Sequence, residues 1–476
     1  MTKKNCKKLL IIAPHGDDEL NLLGTVANRF IKKSWQLHLL LVTNGDYLPK
    51  VTEKRHAETE AVAKKMGISK ITYLGYGDDP GFDSTHTYHT LAPKSRTTPG
   101  GHNCTYGFKN APDHAFHTHG VHRPYCRDSV KADMKEVILS EQAECIVCVD
   151  LDEHADHRMT ALLFDEILRE LICTTPYRPI VLKKYAYAGV WFGPDDYYAN
   201  PMAETRLTTE EYFPYSSEQG TRVQVPRRYY PIFCKRSPIY KLCKIYRSQY
   251  VTEHFNRMVN ADALYFYRDC NNLAIHAQVA VSSGKATFLN DGKLADVFPI
   301  HQAKADIISN YDTYTWIPSA NDATPCITFR FQEHISLREI HLHLPYQEEF
   351  RPKKIKLSVG STEKIFSIGK DLRTVISFES PIPNIQEISL QLLEGIPGKW
   401  GLREVEIFDH CSTFPWKELP LRPYHPNSLC RYRPLGPLVP KFRRKLNIIK
   451  QFCQYDLRNK GIKYFLSRLL RKLMRK

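Results

Sequence analysis

Through residues 8–190 the chain alternates short β-branched runs with stretches of helical period, a pattern that fits a mainly parallel sheet flanked by helices. Residues 8–14 and 37–43 read as the first two strands, with an amphipathic helix at 20–33 between them. A second helix, 52–66, ends at Gly67, a residue suited to the left-handed turn that closes a helix. Residues 71–74, 145–150 and 181–190 supply the third, fourth and fifth strands. Between the third and fourth lies 75–125, rich in Gly, Pro, Thr and His, and an insertion of that length in a compact domain usually carries function.

The pattern changes near Asn271. Helical period disappears, and short alternating strands at 277–281, 327–331, 340–344, 354–358, 388–393 and 404–408 read as an all-β sandwich. Residues 411–440 then hold seven prolines, the composition of an extended connector. The expected organisation is a Rossmann-like α/β domain over 1–270, a β-sandwich over 271–410, a proline-rich linker over 411–440 and a basic tail over 441–476. The total of 476 residues agrees, since roughly 150 residues per domain gives about three units.

Composition narrows the class of protein. With 42% hydrophobic and 25% charged residues, the chain is neither mostly disordered nor collagen-like. No run approaches the roughly 20 apolar residues of a membrane-spanning helix, and the apolar run 9–12 is too short for the core of a signal peptide. Thirteen scattered cysteines, an odd number, do not form a secreted disulfide framework, so a cytoplasmic location is expected. The net charge of +16 is concentrated: residues 441–476 carry thirteen Lys and Arg against Asp456, a net of +12. The other 440 residues carry only +4, too little to suggest a nucleic-acid-binding face, and no nucleic acid partner is expected. Within the tail, Ile462, Phe465, Leu466, Leu469, Leu470 and Leu473 recur at helical spacing opposite Lys463, Arg468, Arg471, Lys472 and Arg475. Such a helix suits an anionic membrane surface, placing the protein peripherally on the inner face; packing on the body is the plainer alternative.

Two clusters carry chemistry. The first strand ends in Ala13-Pro14-His15-Gly16-Asp17-Asp18-Glu19 and the fourth in Asp150-Leu151-Asp152-Glu153-His154-Ala155-Asp156-His157. Ligands of open parallel sheets sit beyond the carboxyl ends of strands. Adjacent carboxylates at a tight turn repel unless a cation sits between them. Two His and one Asp drawn from the clusters would supply the three protein ligands of a catalytic Zn²⁺, leaving a position for a water whose pKa falls to about 7. A remaining carboxylate could act as general base, and a spare His could polarise the carbonyl or protonate the leaving amine.

These residues resemble the LmbE-like, or PIG-L, de-N-acetylases: the first cluster is similar to their A-H-P-D-D-E motif and His154-Ala155-Asp156-His157 to their H-P-D-H motif. The resemblance implies that His15, Asp18 and His157 hold zinc, with another divalent cation such as Fe²⁺ as the alternative. It further implies that Asp17 is the general base and that His154 stabilises the oxyanion or serves as acid, with Asp156 orienting it. Thr43-Asn44-Gly45-Asp46, Arg55-x-x-Glu58 leading to Met66-Gly67, and Leu74-Gly75-Tyr76-Gly77-Asp78 are similar to further family segments and make Arg55 and Asp78 the substrate candidates. Residues 241–249 and 260–268 extend the likeness to the whole of 1–270. Gly16 and Ala155 stand where the family usually has proline, which implies looser turns rather than a lost metal site. The second unit resembles discoidin-type, galactose-binding-like sandwiches at 272–274, 290–292, Trp316 and 401–407. The implied activity is removal of acetyl from an N-acetylglucosaminyl sugar of a glycan or glycolipid precursor.

Other readings compete. Asp150-Leu151-Asp152 has the spacing with which a nucleotide-sugar glycosyltransferase holds a cation, and a glycan-binding protein with an inactive site is a third class. Cys145 and Cys148 have redox-motif spacing, although their apolar strand favours packing. Seven histidines between His86 and His122 match no zinc pattern and read as a solvated or substrate-covering loop, while Glu19 and Glu153 read as turn or supporting residues. For the tail, truncation after Pro440 should strongly reduce co-sedimentation with anionic vesicles at low salt while barely changing turnover of a small soluble substrate. Equal sedimentation of the two proteins would reject the membrane reading, and a large drop in melting temperature would favour packing on the body.

Overall fold

The computed structural model describes residues 6–78, 97–98, 100–151, 154–186, 191–192, 205–207, 219–229, 237–253, 258, 260–294, 315–345 and 348–425. Asp152, Glu153, His86, His89 and the amphipathic tail lie outside the described residues.

The first unit runs β1 (Lys8–Ala13), α1 (Ala27–Lys32), β2 (Gln36–Thr43), α2 (Thr52–Met66), β3 (Ile68–Tyr76), α3 (His114–His119), α4 (Arg127–Glu141), β4 (Cys145–Val149), α5 (Ala155–Thr174) and β5 (Ile180–Lys184). It continues with the two-residue strands β6 (Trp191–Phe192) and β7 (Arg206–Leu207), then β8 (Thr221–Gln224), α6 (Pro238–Cys243) and β9 (Asp262–Arg268). Its main sheet has the order β3-β2-β1-β4-β5-β9-β8. The first five strands pair in parallel, and β9 and β8 close the sheet antiparallel. Strand order reverses at β1, so the crevice between the carboxyl ends of β1 and β4 is where an α/β sheet of this order places its ligand. The central strands are near-continuous runs of buried Leu, Ile, Val and Cys because helices cover both faces.

Most expected elements are present with shifted ends. The helix expected at 20–33 is broken into a π-helical turn at Leu20–Gly24 followed by α1. Gly24 is a weak helix former, and a β-carbon there would lie 2.7 Å from Ile239 Cδ1, so α6 packs into the break. The fifth strand stops at Lys184 rather than 190. Cys145 and Cys148 are buried free thiols, pushed well above their ordinary pKa by burial, in line with packing rather than redox chemistry.

The second unit is antiparallel throughout, with β10 (Gln278–Val281), β11 (Cys326–His343), β12 (Lys354–Val359), β13 (Thr362–Ser367), β14 (Arg373–Leu393) and β15 (Glu404–Phe408). The runs expected as separate strands at 327–331 and 340–344 are the two ends of β11. Register shifts against β14 between Arg330 and Glu339 bend that strand, so one end pairs with β10 and the other with β15. β13 is not expected from the sequence, because it is a mostly exposed strand with no apolar alternation: Ile365 and Phe366 are adjacent and fall on opposite faces. The units touch through Lys293 on Glu166 at 2.8 Å, Arg169 Nε donating to Asn290 O at 3.1 Å, and His410 on Asp269 at 2.8 Å. After the sandwich the chain returns to the first unit. Phe414, Leu419 and Leu421 join its core, and Pro423 bridges Val223, covering the otherwise open edge of β8.

Candidate metal centre at the carboxyl ends of β1 and β4

Strand β1 ends at Ala13, and the turn that follows brings His15 and Asp18 inward while β4 and the first turn of α5 deliver His154, Asp156 and His157. His15 Nδ1 lies 3.1 Å from Asp18 Oδ2, and His157 Nε2 lies 3.2 Å from the same oxygen. His15 Nε2 lies 3.0 Å from Asp156 Oδ2 and 3.9 Å from Asp78 Oδ1. The three imidazoles surround this point, with ring centroids 4.7 to 5.3 Å apart. His15, Asp18, Asp156 and His157 are all buried.

Electrostatics follow from that crowding. Burial opposes a charged His15, yet Asp78, Asp156 and Asp18 outweigh it and hold the imidazole well above its ordinary pKa. Burial likewise opposes ionised Asp18, but His157 and His15 hold its carboxyl well below the usual range. For Asp17 burial prevails and raises the carboxyl, with Arg55 pulling against it. Glu19, fully buried, is pushed up to about 8.

The donor set fits a divalent cation. Ligand atoms of His15, His154 and His157 lie within 4.8 Å of one another, as do those of His15, Asp78 and Asp156, and both groups lie among carboxylates that a cation would neutralise. Asp18 sits between two of the imidazoles, so the three expected ligands do converge.

The remaining expected residues are placed less simply. Asp17 adopts φ +124°, a conformation that costs an L residue about 1–3 kcal/mol and persists only where its surroundings enforce it. Its carboxylate accepts from Arg55 Nη2 at 3.0 Å, and at 22% side-chain exposure it is far more open than Asp18. Asp156, expected to orient His154, meets it through its backbone: Asp156 N–H donates to His154 Nδ1 at 3.2 Å, while the carboxylate bonds His15 and lies 3.8 Å from that nitrogen. Nδ1 thus acts as an acceptor, and the neutral ring carries its proton on Nε2.

Arg55 and Asp78, expected to meet substrate, are both buried and make several bonds within the protein. Arg55 Nε donates to Gly16 O at 3.0 Å, and Asp78 Oδ1 accepts from Thr43 Oγ1 at 2.5 Å and Gly45 N at 2.8 Å. Asp150 is buried too, accepts from Leu151 N at 2.9 Å and lies 3.8 Å from Lys183 Nζ, a poor position for gripping a nucleotide-bound cation. Among the described histidines of the long insertion, His119 and His114 face Glu136, His122 pairs with Asp113, and His102 stacks on Tyr106 at 3.7 Å. They do not form a second ligand cluster among the described residues.

Sequence reasoning missed three supports. Glu58 accepts from Arg247 N and from Ser248 N and Oγ, Tyr106 Oη donates to Asp46 at 3.0 Å, and Tyr246 Oη donates to Glu19 at 2.5 Å. Glu58 and Asp46 lie in family-like motifs and Tyr246 in the family-like stretch 241–249, but nothing local pairs Tyr246 with a carboxylate.

An α/β protein with a buried His–carboxylate centre at its topological switch point is the class that fold and site define. Residues 10–168 match the family model described as PIG-L, GlcNAc-PI de-N-acetylase, and the chain carries a PIG-L/LmbE-like de-N-acetylase domain. No curated protein sequence matches significantly. Similar solved structures include N,N'-diacetylchitobiose deacetylase from Pyrococcus horikoshii, with 14% identity over 56% of this chain and 85% of that one and a TM-score of 0.31. They also include the family 32 carbohydrate-binding module of Clostridium perfringens NanJ, with 15% identity over 28% of this chain and 94% of that one and a TM-score of 0.20. Chitosan-binding module 1 from Paenibacillus sp. IK-5 is similar with 15% identity over 29% and 98%, and a TM-score of 0.20.

The glycine at position 16 does not loosen the turn. A β-carbon there would lie 2.0 Å from Thr59 Oγ1, so α2 fills the space. Gly16→Ala should therefore cost about 1–3 kcal/mol through overpacking. Adding Thr59→Ala, which removes the obstructing hydroxyl, should recover part of that loss. Urea unfolding of the four proteins of the cycle checks this, and strictly additive effects would contradict the proposed contact.

Proposed function

We propose that this protein is a metal-dependent N-deacetylase that removes acetyl from an N-acetylglucosaminyl sugar of a glycan or glycolipid precursor. The observation that carries the reading is the convergence, in one buried cluster, of His15 and Asp18 from the end of β1 with His157 from α5. His15, Asp18 and His157 would hold the cation, zinc or another divalent ion such as Fe²⁺. When bound, it supplies a water acidified to a pKa of about 7 and a Lewis acid for the amide carbonyl.

The chain's own residues do the rest. Asp17, the partly open carboxylate beside the ligands, takes the proton of the attacking water, while Arg55 fixes its direction. His154, 20% exposed and with its Nδ1 occupied by a backbone N–H, presents Nε2–H to the developing oxyanion or to the leaving amine. We further propose that the sandwich adds glycan contacts and that the basic tail holds the enzyme near an anionic membrane face.

Release of free acetate from a panel of N-acetylglucosaminyl compounds tests the reaction, and no release from any member of a chemically broad panel would count against it. His15→Ala, Asp18→Ala and His157→Ala should each sharply lower bound zinc, measured by elemental analysis; full zinc in two of the three would sink the ligand assignment. Asp17→Asn should keep zinc and lose at least about 10²-fold in turnover. Near-normal turnover would place the base elsewhere.

A further inference from the structure

The peptide unit between Gly16 and Asp17 is gripped at both ends. Its carbonyl oxygen accepts from Arg55 Nε at 3.0 Å, and its N–H donates to Glu19 Oε2 at 2.8 Å. The other oxygen of Glu19 accepts from the Tyr246 hydroxyl at 2.5 Å. Glu19 is 0% and Tyr246 1% exposed, so neither side chain reaches a substrate. The residues after Tyr246 are tied in turn to α2: Arg247 N and Ser248 N and Oγ all donate to Glu58, which lies one helical turn beyond Arg55.

These bonds form a closed circuit. Helix α2 holds the motif turn through Arg55 and the 237–253 segment through Glu58, and that segment holds the turn through Tyr246 and Glu19. The circuit meets at the one residue of the cluster with a left-handed backbone, Asp17.

We propose that Tyr246 and Glu19 are positioning residues that aim the Asp17 carboxylate by locking the 16–17 peptide from the side opposite Arg55. The inference rests on the reading of Asp17 as the base of the deacetylation. It makes a distant part of the chain, outside both metal-ligating motifs, a determinant of turnover without any contact to substrate or metal ligand.

The test is Tyr246→Phe in the full-length chain, which removes the hydroxyl and keeps the ring. Bound zinc and KM should be unchanged, while kcat for acetate release falls by about 10- to 100-fold, the scale of a small misplacement of a reacting group. Glu19→Gln should lose a comparable factor, and the double variant no more than the larger single loss, because both act through one chain of bonds. A crystal structure of Tyr246→Phe should show the Asp17 backbone relaxed from its left-handed conformation. Unchanged kcat with Asp17 held as before would overturn the proposal. Should Tyr246→Phe fail to fold, Glu19→Gln carries the same test. If the parent protein releases no acetate, the deacetylase reading fails on its own. The backbone comparison then decides the brace alone, with a relaxed Asp17 supporting it and an unmoved one refuting it.

Discussion

The structure depends on keeping a crowd of carboxylates together in a buried crevice. Asp18, Asp46, Asp78 and Asp156 are buried beside the more open Asp17, where isolated charges would be strongly disfavoured. Histidines and one arginine offset them. Asp18 lies against two imidazoles, Asp156 against the other ring nitrogen of His15, and Arg55 against Asp17 with Asp78 3.8 Å away. A divalent cation would complete this balance more economically than protons do, because it would satisfy several oxygens and nitrogens at once. Much of the architecture around the crevice holds these charged groups together, where the proposed cation would sit.

Helix α2 is the chief instrument of that control. Arg55, Glu58 and Thr59 all point from it toward the site region: Arg55 grips the motif turn, Thr59 occupies the space beside Gly16, and Glu58 anchors the segment that follows α6. The parallel sheet sets the distance between the β1 and β4 clusters, and α2 fixes the turn that follows β1. The returning segment at 422–424 covers the far end of the same sheet, where β8 would otherwise offer an open edge.

The fold was legible where burial imposes a period. Strand β4 and the stretches 9–13 of β1 and 39–42 of β2 are apolar throughout, and the α2 pattern ends at Gly67, whose φ of +80° confirms the left-handed close. It was less legible where tertiary packing overrides local preference, as at the break before α1, where Ile239 occupies the space beside Gly24, and in β11, whose bulges join two apparent strands. The site shows the same division. The proposed ligands His15, Asp18 and His157 stand in short motifs at strand ends, where the sequence marks them. The pairing of Tyr246 with Glu19 is not marked, because its partner lies 227 residues away and its neighbours carry no pattern that points to a carboxylate. That Asp156 meets His154 through its backbone N–H was not legible either, because sequence spacing cannot tell a side chain from its own backbone as the contacting group.

The central claim, that His15, Asp18 and His157 form one metal centre, is tested most directly by X-ray absorption at the zinc edge on the zinc-loaded, full-length protein. The account predicts one tightly held zinc per chain with only nitrogen and oxygen neighbours, including two imidazoles. A sulfur shell from the chain's cysteines, or zinc coordinated without imidazole, would contradict it.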